Sequence, residues 1–379
     1  MSERYRIFHL IKSLGRGGAE VLLVEGLRYT DLTRFISGYG YFVPWKDALV
    51  PSLKSQGAEV VCFDGKDFVS MLLRVPLLAQ HLLEWRADLI HCHLPLAGVA
   101  GRLAARIVGI PVVYTEHNVM ERYNPWTRRM NLLTWKLQEA VVAVSGEVKQ
   151  SIESSAGKSV SVSMIANGIP VDSFGQDPLE RARVRREWSI PADAFVVGTV
   201  AVFRPQKDLH NWLRAASLIR KRFSQVHFLL VGDGVMMKDV RSFANESGLN
   251  GSVHFTGLQE DSARYFSAMD VYLSSSVFEG LPLALLEAMA TSLPVVVTAV
   301  GGVPEVVADA KTGYIAPPKQ PEALAEKVCA LYENEALRRK FGAAGRSVVE
   351  ERFGMKRMMQ ELEDLYSGII QRHRLRRRI

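Results

Sequence analysis

Thirteen short apolar runs, separated by longer stretches of helical pattern, constrain what this 379-residue chain can fold into more than any other feature. In the first half they are Tyr5–Ile11, Gly38–Val43, Glu59–Cys62, Leu89–Cys92, Val112–Thr115, Val141–Val144 and Val160–Ile165. In the second half they are Phe195–Val200, His227–Val231, Val253–Thr256, Val271–Leu273, Val295–Thr298 and Gly313–Ala316. Runs that are apolar throughout, rather than alternating, suit strands buried on both faces. Strands that alternate with helices pair in parallel, because each helix supplies the crossover that a parallel connection needs. The expected fold class is therefore α/β, with two doubly wound, Rossmann-like domains. The first series closes at Asn167-Gly168-Ile169-Pro170, so the expected domains are residues 1–170 and 171–354. Asp172 to Pro191 is polar and charged and reads as a linker with a short helix. A last helical stretch, Met355 to about Arg372, leads into a basic tail within residues 355–379.

Hydrophobic residues make up 48% and charged residues 23%, as in ordinary globular proteins. Three cysteines, Cys62, Cys92 and Cys329, are odd in number and far apart, so no disulfide framework is expected and a reducing cytoplasm is the simple setting. Met1 to Gly18 has no signal-peptide pattern. Leu281–Val300, the longest apolar candidate for a membrane span, is broken by Pro282, Glu287 and Pro294. Net charge is +7, and the last eight residues hold five arginines and no acid, so removing those five cations takes +7 to +2. A local basic tail can attract an anionic membrane, at about 1 kcal/mol per charge near the surface. It can equally be a frayed, solvated helix end. Nucleic acid is not an expected partner, because no recognised module or aromatic–basic stripe is present.

The stretch Phe278-Glu279-Gly280-Leu281-Pro282-Leu283-Ala284-Leu285-Leu286-Glu287 sets two carboxylates eight residues apart across a loop-to-helix junction. Pro282 suits the first helical position, where its missing N–H costs nothing. Strong helix formers follow from Leu283 to Ala290. The unpaired N–H groups near Leu283 would carry the positive end of the helix dipole, which suits a phosphate. Glu279 in front of that anion site and Glu287 beside it could hold a sugar and a ribose. The bland alternative is two glutamates without a shared task.

Further unusual residues fall at strand ends, where doubly wound sheets bind ligands. Gly15-Arg16-Gly17-Gly18-Ala19-Glu20 opens a helix after the first run, and its glycines allow close backbone approach. It is not a dinucleotide fingerprint, since the third glycine is misplaced and no acid ends the second run. His91-Cys92-His93 puts both imidazoles on one face, but no further ligands stand at metal-site spacing. Thr115-Glu116-His117-Asn118 places His117 where it could bond a sugar hydroxyl or an acceptor. Glu116 and Asn118 are weaker candidates. Ser145 reads as a helix cap and Asn167-Gly168 as a turn. Phe203-Arg204-Pro205-Gln206-Lys207 brings two cations to a strand end, where they could stabilise a leaving diphosphate. Val231-Gly232-Asp233-Gly234, Thr256-Gly257-Leu258 and Thr298–Val303, with Gly301-Gly302, are further loops at strand ends. Tyr123, Trp126, Trp135, Arg128, Arg129 and Lys136 cluster in one helical stretch that could meet an acceptor or a membrane, or be ordinary core.

Taken together, these motifs resemble the retaining nucleotide-sugar glycosyltransferases of family 4, over about residues 5 to 350. The resemblance implies the GT-B fold, with the two domains facing a cleft. It implies that Glu287 holds the ribose and Glu279 the sugar. Lys207, Arg204 and the backbone from Gly280, Leu281 and Pro282 to Leu283 would stabilise the diphosphate. Gly17 and Gly18 would approach the donor, as would Gly232, while Gly257 and Leu258 would meet the nucleobase, and His117 would lie close to the transferred sugar. The family's partner arginine usually stands farther upstream, where this chain has Ala201 and Val202. The last helix would return to the first domain. A hexosyl transfer from a nucleoside-diphosphate sugar, with UDP as the expected base, to a glycan or lipid-linked acceptor would follow. Neither cofactor nor metal is expected, because the cations replace it. A nucleotide-sugar epimerase of the same fold, or a binding protein that lost catalysis, is the alternative. The expected place is the cytoplasm, with peripheral contact at the inner membrane face.

Overall fold

The thirteen runs become thirteen strands in two all-parallel sheets among the described residues, 4–377, of a computed structural model. One sheet has the order β3-β2-β1-β4-β5-β6-β7. Its strands are β1 (Tyr5–Leu10), β2 (Phe35–Tyr41), β3 (Glu59–Cys62), β4 (Leu89–His93), β5 (Val112–Glu116), β6 (Ala140–Ala143) and β7 (Ser161–Met164). The other has the order β10-β9-β8-β11-β12-β13. Its strands are β8 (Phe195–Val200), β9 (Val226–Val231), β10 (Val253–Gly257), β11 (Val271–Ser274), β12 (Val295–Thr298) and β13 (Tyr314–Ala316). The strand order reverses beside β1 and again beside β8, the places where doubly wound sheets open a crevice at their carboxyl ends. Only β2 starts well before its apolar run. Phe35 and Ile36 pair with Tyr5 and Arg6, and the small residues Ser37, Gly38 and Gly40 conceal that strand in the sequence.

The chain divides into two compact units, the first running to Gly168 and including Met355 onward, the second spanning Ile169–Gly354. Glycines in β2 belong to the packing of the first unit. A Cβ on Gly38 would press on Trp85 and Phe8, and one on Gly40 on Phe8 and Phe63. In the second unit Trp212 is fully buried and donates its indole N–H to the Leu273 carbonyl at 2.9 Å. The stretch expected as a linker is fastened to this unit. Its helix Pro178–Glu187 carries Arg185, buried, which pairs with Asp270 at 2.8 Å and donates to the carbonyls of Ala192, Ala194 and Ala268.

The last helix, Met355–Arg376, extends four residues beyond its expected end and packs on the first unit. Its buried residues Met355, Met358, Met359, Leu362, Tyr366, Ile369 and Ile370 repeat at three- and four-residue steps, which makes one apolar stripe. Its end is held by the cations of the basic tail. Arg374 pairs with Asp88 at 2.6 Å and Arg376 with Glu139 at 3.7 Å. His373 and Arg377 both meet the carbonyl of Gly109, at the C-terminus of the helix Pro95–Val108, where cations are favoured. A frayed end is therefore incorrect as far as Arg377. Arg378 and Ile379 lie outside the described residues.

Candidate active site

In the second unit, the loops leaving β8, β11 and β12 converge on Glu279. Its carboxylate accepts a bond from the Lys207 ammonium at 2.5 Å and from the Ser276 hydroxyl at 2.7 Å. Glu279 is nearly buried, and the Lys207 side chain keeps about a fifth of its surface (21%) in solvent. Both loops are pinned from behind. The Ser275 hydroxyl donates to the carbonyls of Lys207 and Asp208 at 2.9 Å, and the Val277 N–H donates to Gln206 at 2.8 Å. Thr298, at the end of β12, donates to the Ser276 carbonyl at 2.6 Å. Gly301 has φ +58, and a Cβ there would collide with the Glu279 carbonyl. The next N–H, of Gly302, donates to the Gly280 carbonyl at 2.6 Å. The Gly301-Gly302 turn thus holds the Glu279 loop in place.

The helix after this loop runs Leu283–Ala290. Pro282 stands one position earlier than expected, as the N-cap with extended backbone (φ −72, ψ 120), so the first helical N–H belongs to Leu283. No side chain caps that end, and the first N–H groups of a helix have no partner within it. Leu283, Ala284 and Glu287 are the partly exposed residues of a helix that is otherwise buried. Glu287 stands four residues after Leu283 and three after Ala284, so it is a surface neighbour of both. The phenol of Tyr272 is pushed up by burial first, with further contributions from the charges of Glu279 and Glu287. Both carboxylates thus act on one buried ring.

Gly232 and Gly257, from different strand ends, are joined by an N–H to carbonyl bond of 2.9 Å. Gly232 has φ +131, and its Cβ would strike the Ala201 carbonyl. Leu258 is exposed beside Gly257. Arg204 is exposed and precedes the short turn Pro205–Lys207. It takes no part in the Lys207–Glu279 pair. The structure therefore brings together Lys207, Glu279, Gly280 and the Leu283 helix, and leaves Arg204 at the rim.

In the first unit, Gly17 is the N-cap of the helix Gly18–Leu27, and a side chain there would meet the Glu20 carboxylate, which takes a bond from Ser13 at 3.1 Å. Strands β1, β4 and β5 bring four imidazoles together. His93 lies between His9 (Nδ1 to Nε2, 3.5 Å) and His117 (Nδ1 to Nε2, 3.4 Å). His91 bonds the Tyr366 hydroxyl at 2.5 Å and Thr115 at 2.7 Å. Burial pushes His9 and His117 down to about 4, and His91 and His93 well below the usual imidazole range, so all four are neutral at pH 7. His9, His91 and His93 offer nitrogens within 4.8 Å of one another. Both nitrogens of His91 and both of His93 already lie within bonding distance of neighbouring side chains. The cavity beside them, about 40 Å³, has room for a few water molecules.

Glu116 underlies His117. Its carboxylate accepts the hydroxyls of Tyr114 at 2.8 Å and of Tyr123, and the backbone N–H groups of His117 at 3.1 Å and Asn118 at 3.4 Å. Burial raises it to about 7 despite those four donors. Ser145 caps its helix through the Val148 N–H, and the Gly168 N–H meets the Met358 sulfur.

A family model described as Glycosyltransferase Family 4 matches residues 5–173, and one described as Glycosyl transferases group 1 matches residues 180–348. The chain belongs to glycosyltransferase family 4. Over 306 residues it is 26% identical to the GDP-mannose-dependent alpha-(1-6)-phosphatidylinositol monomannoside mannosyltransferase of Mycobacterium tuberculosis, across 77% of this chain and 78% of that one. Over 250 residues it is 27% identical to the UDP-Gal:alpha-D-GlcNAc-diphosphoundecaprenol alpha-1,3-galactosyltransferase of Escherichia coli, across 62% and 63%. The crystal structure of the Anabaena protein HepE in complex with UDP and glucose matches with a TM-score of 0.88 at 23% identity, covering 96% of this chain and all of that one. That likeness is one of fold: two parallel-sheet, Rossmann-like domains of the GT-B type.

Several residues around these candidate groups, in each unit, escaped the sequence. Ser276 and Tyr272 look like ordinary strand and loop residues, and only the fold turns them toward Glu279. His9 stands on β1 with the parity that would have marked it, since it pairs with His91 across the sheet. Tyr366 lies 275 residues from His91, and no spacing reveals it.

Proposed function

We propose that this glycosyltransferase is a retaining, metal-independent enzyme. It moves a hexosyl unit from a UDP-sugar to a glycan or lipid-linked acceptor in surface polysaccharide or lipopolysaccharide synthesis. The observation that carries the reading is the Lys207–Glu279 pair set before an uncapped helix start, with Glu287 one turn along the helix. A nucleoside diphosphate brings charge that Lys207 and the Leu283 N–H groups can meet, with Arg204 reaching in from the rim. Lys207 then leaves Glu279, whose carboxylate is freed for the sugar hydroxyls, while Glu287 takes the ribose. As the bond from the anomeric carbon to the diphosphate breaks, charge grows on the leaving oxygen, and the cation and helix dipole stabilise it without a metal ion. The acceptor oxygen bonds to the anomeric carbon on the same face, and its proton passes to the leaving phosphate. His117, neutral and braced by Glu116, contacts the transferred sugar, and Gly17, Gly18, Gly232, Gly257 and Leu258 complete the donor contacts.

UDP is supported by the E. coli relative, whose name specifies UDP-Gal, and by the UDP held in the HepE crystal. Two relatives named for lipid-linked acceptors support an acceptor of that class, met by a peripheral enzyme at the cytoplasmic membrane face. No described helix is long and apolar enough to cross a membrane. The test is thermal stabilisation by UDP-, GDP- and ADP-sugars, with EDTA and with Mg²⁺. A UDP-sugar at 100 times its Kd is expected to add about 2.7 kcal/mol, equally in both conditions. A shift that needs Mg²⁺ overturns metal independence, a shift with GDP-sugars alone overturns the base, and an inverted anomer in the product overturns retention.

A further inference from the structure

The stretch that the sequence left open between core and interface divides cleanly in the structure. Trp135 is buried, and Tyr123 turns inward to Glu116. Asn131 is buried too, and bonds the buried guanidinium of Arg102 at 2.6 Å. On the opposite side of the helix Pro125–Leu133, Trp126 is 71% exposed and Leu133 is 68% exposed. Arg129 is exposed between them. The three stand at i, i+3 and i+7, on one face of the helix. Lys136 and Leu137 continue the exposed set in the next turn, and Arg122 precedes it. Glu121, the acid that precedes the stretch, has its carboxylate bonded to Ser151 at 2.5 Å and Ser155 at 3.1 Å, on a neighbouring helix. Glu139 faces Arg376.

We propose that this face docks the enzyme on an anionic lipid bilayer, with Trp126 and Leu133 entering the headgroup boundary and Arg129 and Lys136 meeting lipid phosphates. A helix with aromatic and leucyl residues alternating with cations on one face is the pattern that lies in a membrane interface. A protein partner would disfavour lysine in the buried centre of its contact. The inference deepens the reading above and rests on it for the lipid-linked acceptor, which such docking would bring within reach. It also relocates the membrane contact. The tail arginines Arg374, Arg376 and Arg377 are bound to the protein's own surface, whereas the Trp126 face is covered by nothing among the described residues.

The full-length protein is incubated with sedimenting vesicles of phosphatidylcholine, with and without 30% phosphatidylglycerol, in the absence of donor and acceptor. Wild type is expected to partition at least ten-fold more onto the anionic vesicles, and to lose most of that in 0.5 M salt. Trp126→Ala with Leu133→Ala, and separately Arg129→Glu with Lys136→Glu, are expected to lower partition ten-fold or more. Arg372→Gln with Arg376→Gln leaves it nearly unchanged. Thermal midpoint and the donor-induced shift, read on the same variants, stay at wild type because these side chains are exposed and outside the donor site. Equal partition of wild type and both face variants overturns the proposal, as does equal binding to neutral vesicles. A concentration-dependent dimer that disappears with Trp126→Ala overturns it in favour of self-association. Loss of the donor shift with vesicle binding intact would instead count against the transferase chemistry alone.

Discussion

Lys207 and Glu279 bond each other directly, and the ammonium keeps further donors that a ligand could engage. Replacing Lys207 by Ala therefore removes a cation from the developing diphosphate charge. Turnover is expected to fall about 10²–10³-fold, measured as donor consumption, and near wild-type turnover would take Lys207 out of the reaction. Glu287→Ala leaves the Lys207–Glu279 pair standing and removes one charged hydrogen-bonding group. Donor affinity is expected to weaken by about 1.5–3 kcal/mol in a titration, and an unchanged affinity would end its assignment to the ribose. The residues named here were legible because each lies at a strand's carboxyl end beside a glycine or a helix start. Residues whose role depends on contacts across the fold were not. Ser276 shows no motif, yet its hydroxyl fixes the carboxylate of Glu279. Arg204 stands two residues after Val202 and is close to Lys207 in sequence, but the turn that seats Lys207 leaves Arg204 outside the pair.

At the scale of elements, apolar runs mark strands well because a parallel strand must be buried on both faces. They mark ends poorly where small residues pair, as in β2. The last helix shows the other limit. Its stripe from Met355 to Ile370 is periodic and readable, but what it covers is fixed only by the fold. Tyr366 reaches a buried imidazole, His91, and Glu363 accepts the N–H of Asp31 at 2.8 Å. Tyr366→Phe keeps the ring and removes the hydroxyl, leaving His91 Nδ1 buried without its partner. Stability of the first unit is expected to drop by about 1–3 kcal/mol, read by denaturant unfolding of the whole chain, while the donor-induced shift in the second unit persists. A variant as stable as wild type would mean that His91 finds another partner at no cost. Gly301→Ala tests an element boundary in the other unit. It forces a Cβ into the Glu279 carbonyl at φ +58, and is expected to lower both stability and donor affinity. Donor affinity equal to wild type would show that the loop shifts without disturbing Glu279.

Across the whole molecule, the buried titratable groups set opposing pH dependences. His9 and His117 are held near 4, against about 6.5 in an unfolded chain. Their neutral burial favours the fold above pH 6.5, and that contribution is lost as pH falls toward 4, at about 3 kcal/mol each. His91 and His93 act in the same direction. Glu116 acts oppositely. Raised to about 7 from 4.5, it holds a proton in the fold that the unfolded chain has released. Its contribution is complete below pH 4.5 and is lost as pH rises through 7, again about 3 kcal/mol. Several imidazoles outweigh one carboxyl, so thermal stability is expected to peak near neutrality and fall on acidification. On the other side of the peak, Glu116 opposes the imidazoles, and its own contribution to the slope runs to about pH 8. Glu116→Gln keeps an acceptor for Tyr123 and the His117 N–H while removing the charge. It is therefore expected to flatten that slope and, because Glu116 opposes the imidazoles between pH 4.5 and 7, to steepen the acid limb. Midpoints measured from pH 5 to 9 on both proteins decide it: parallel curves above pH 6.5 would mean that Glu116 ionises in the fold as easily as in water. A flattened curve would mean that the loop carrying His117 is braced most firmly where Glu116 keeps its proton, which ties the first unit's stability to one buried carboxyl.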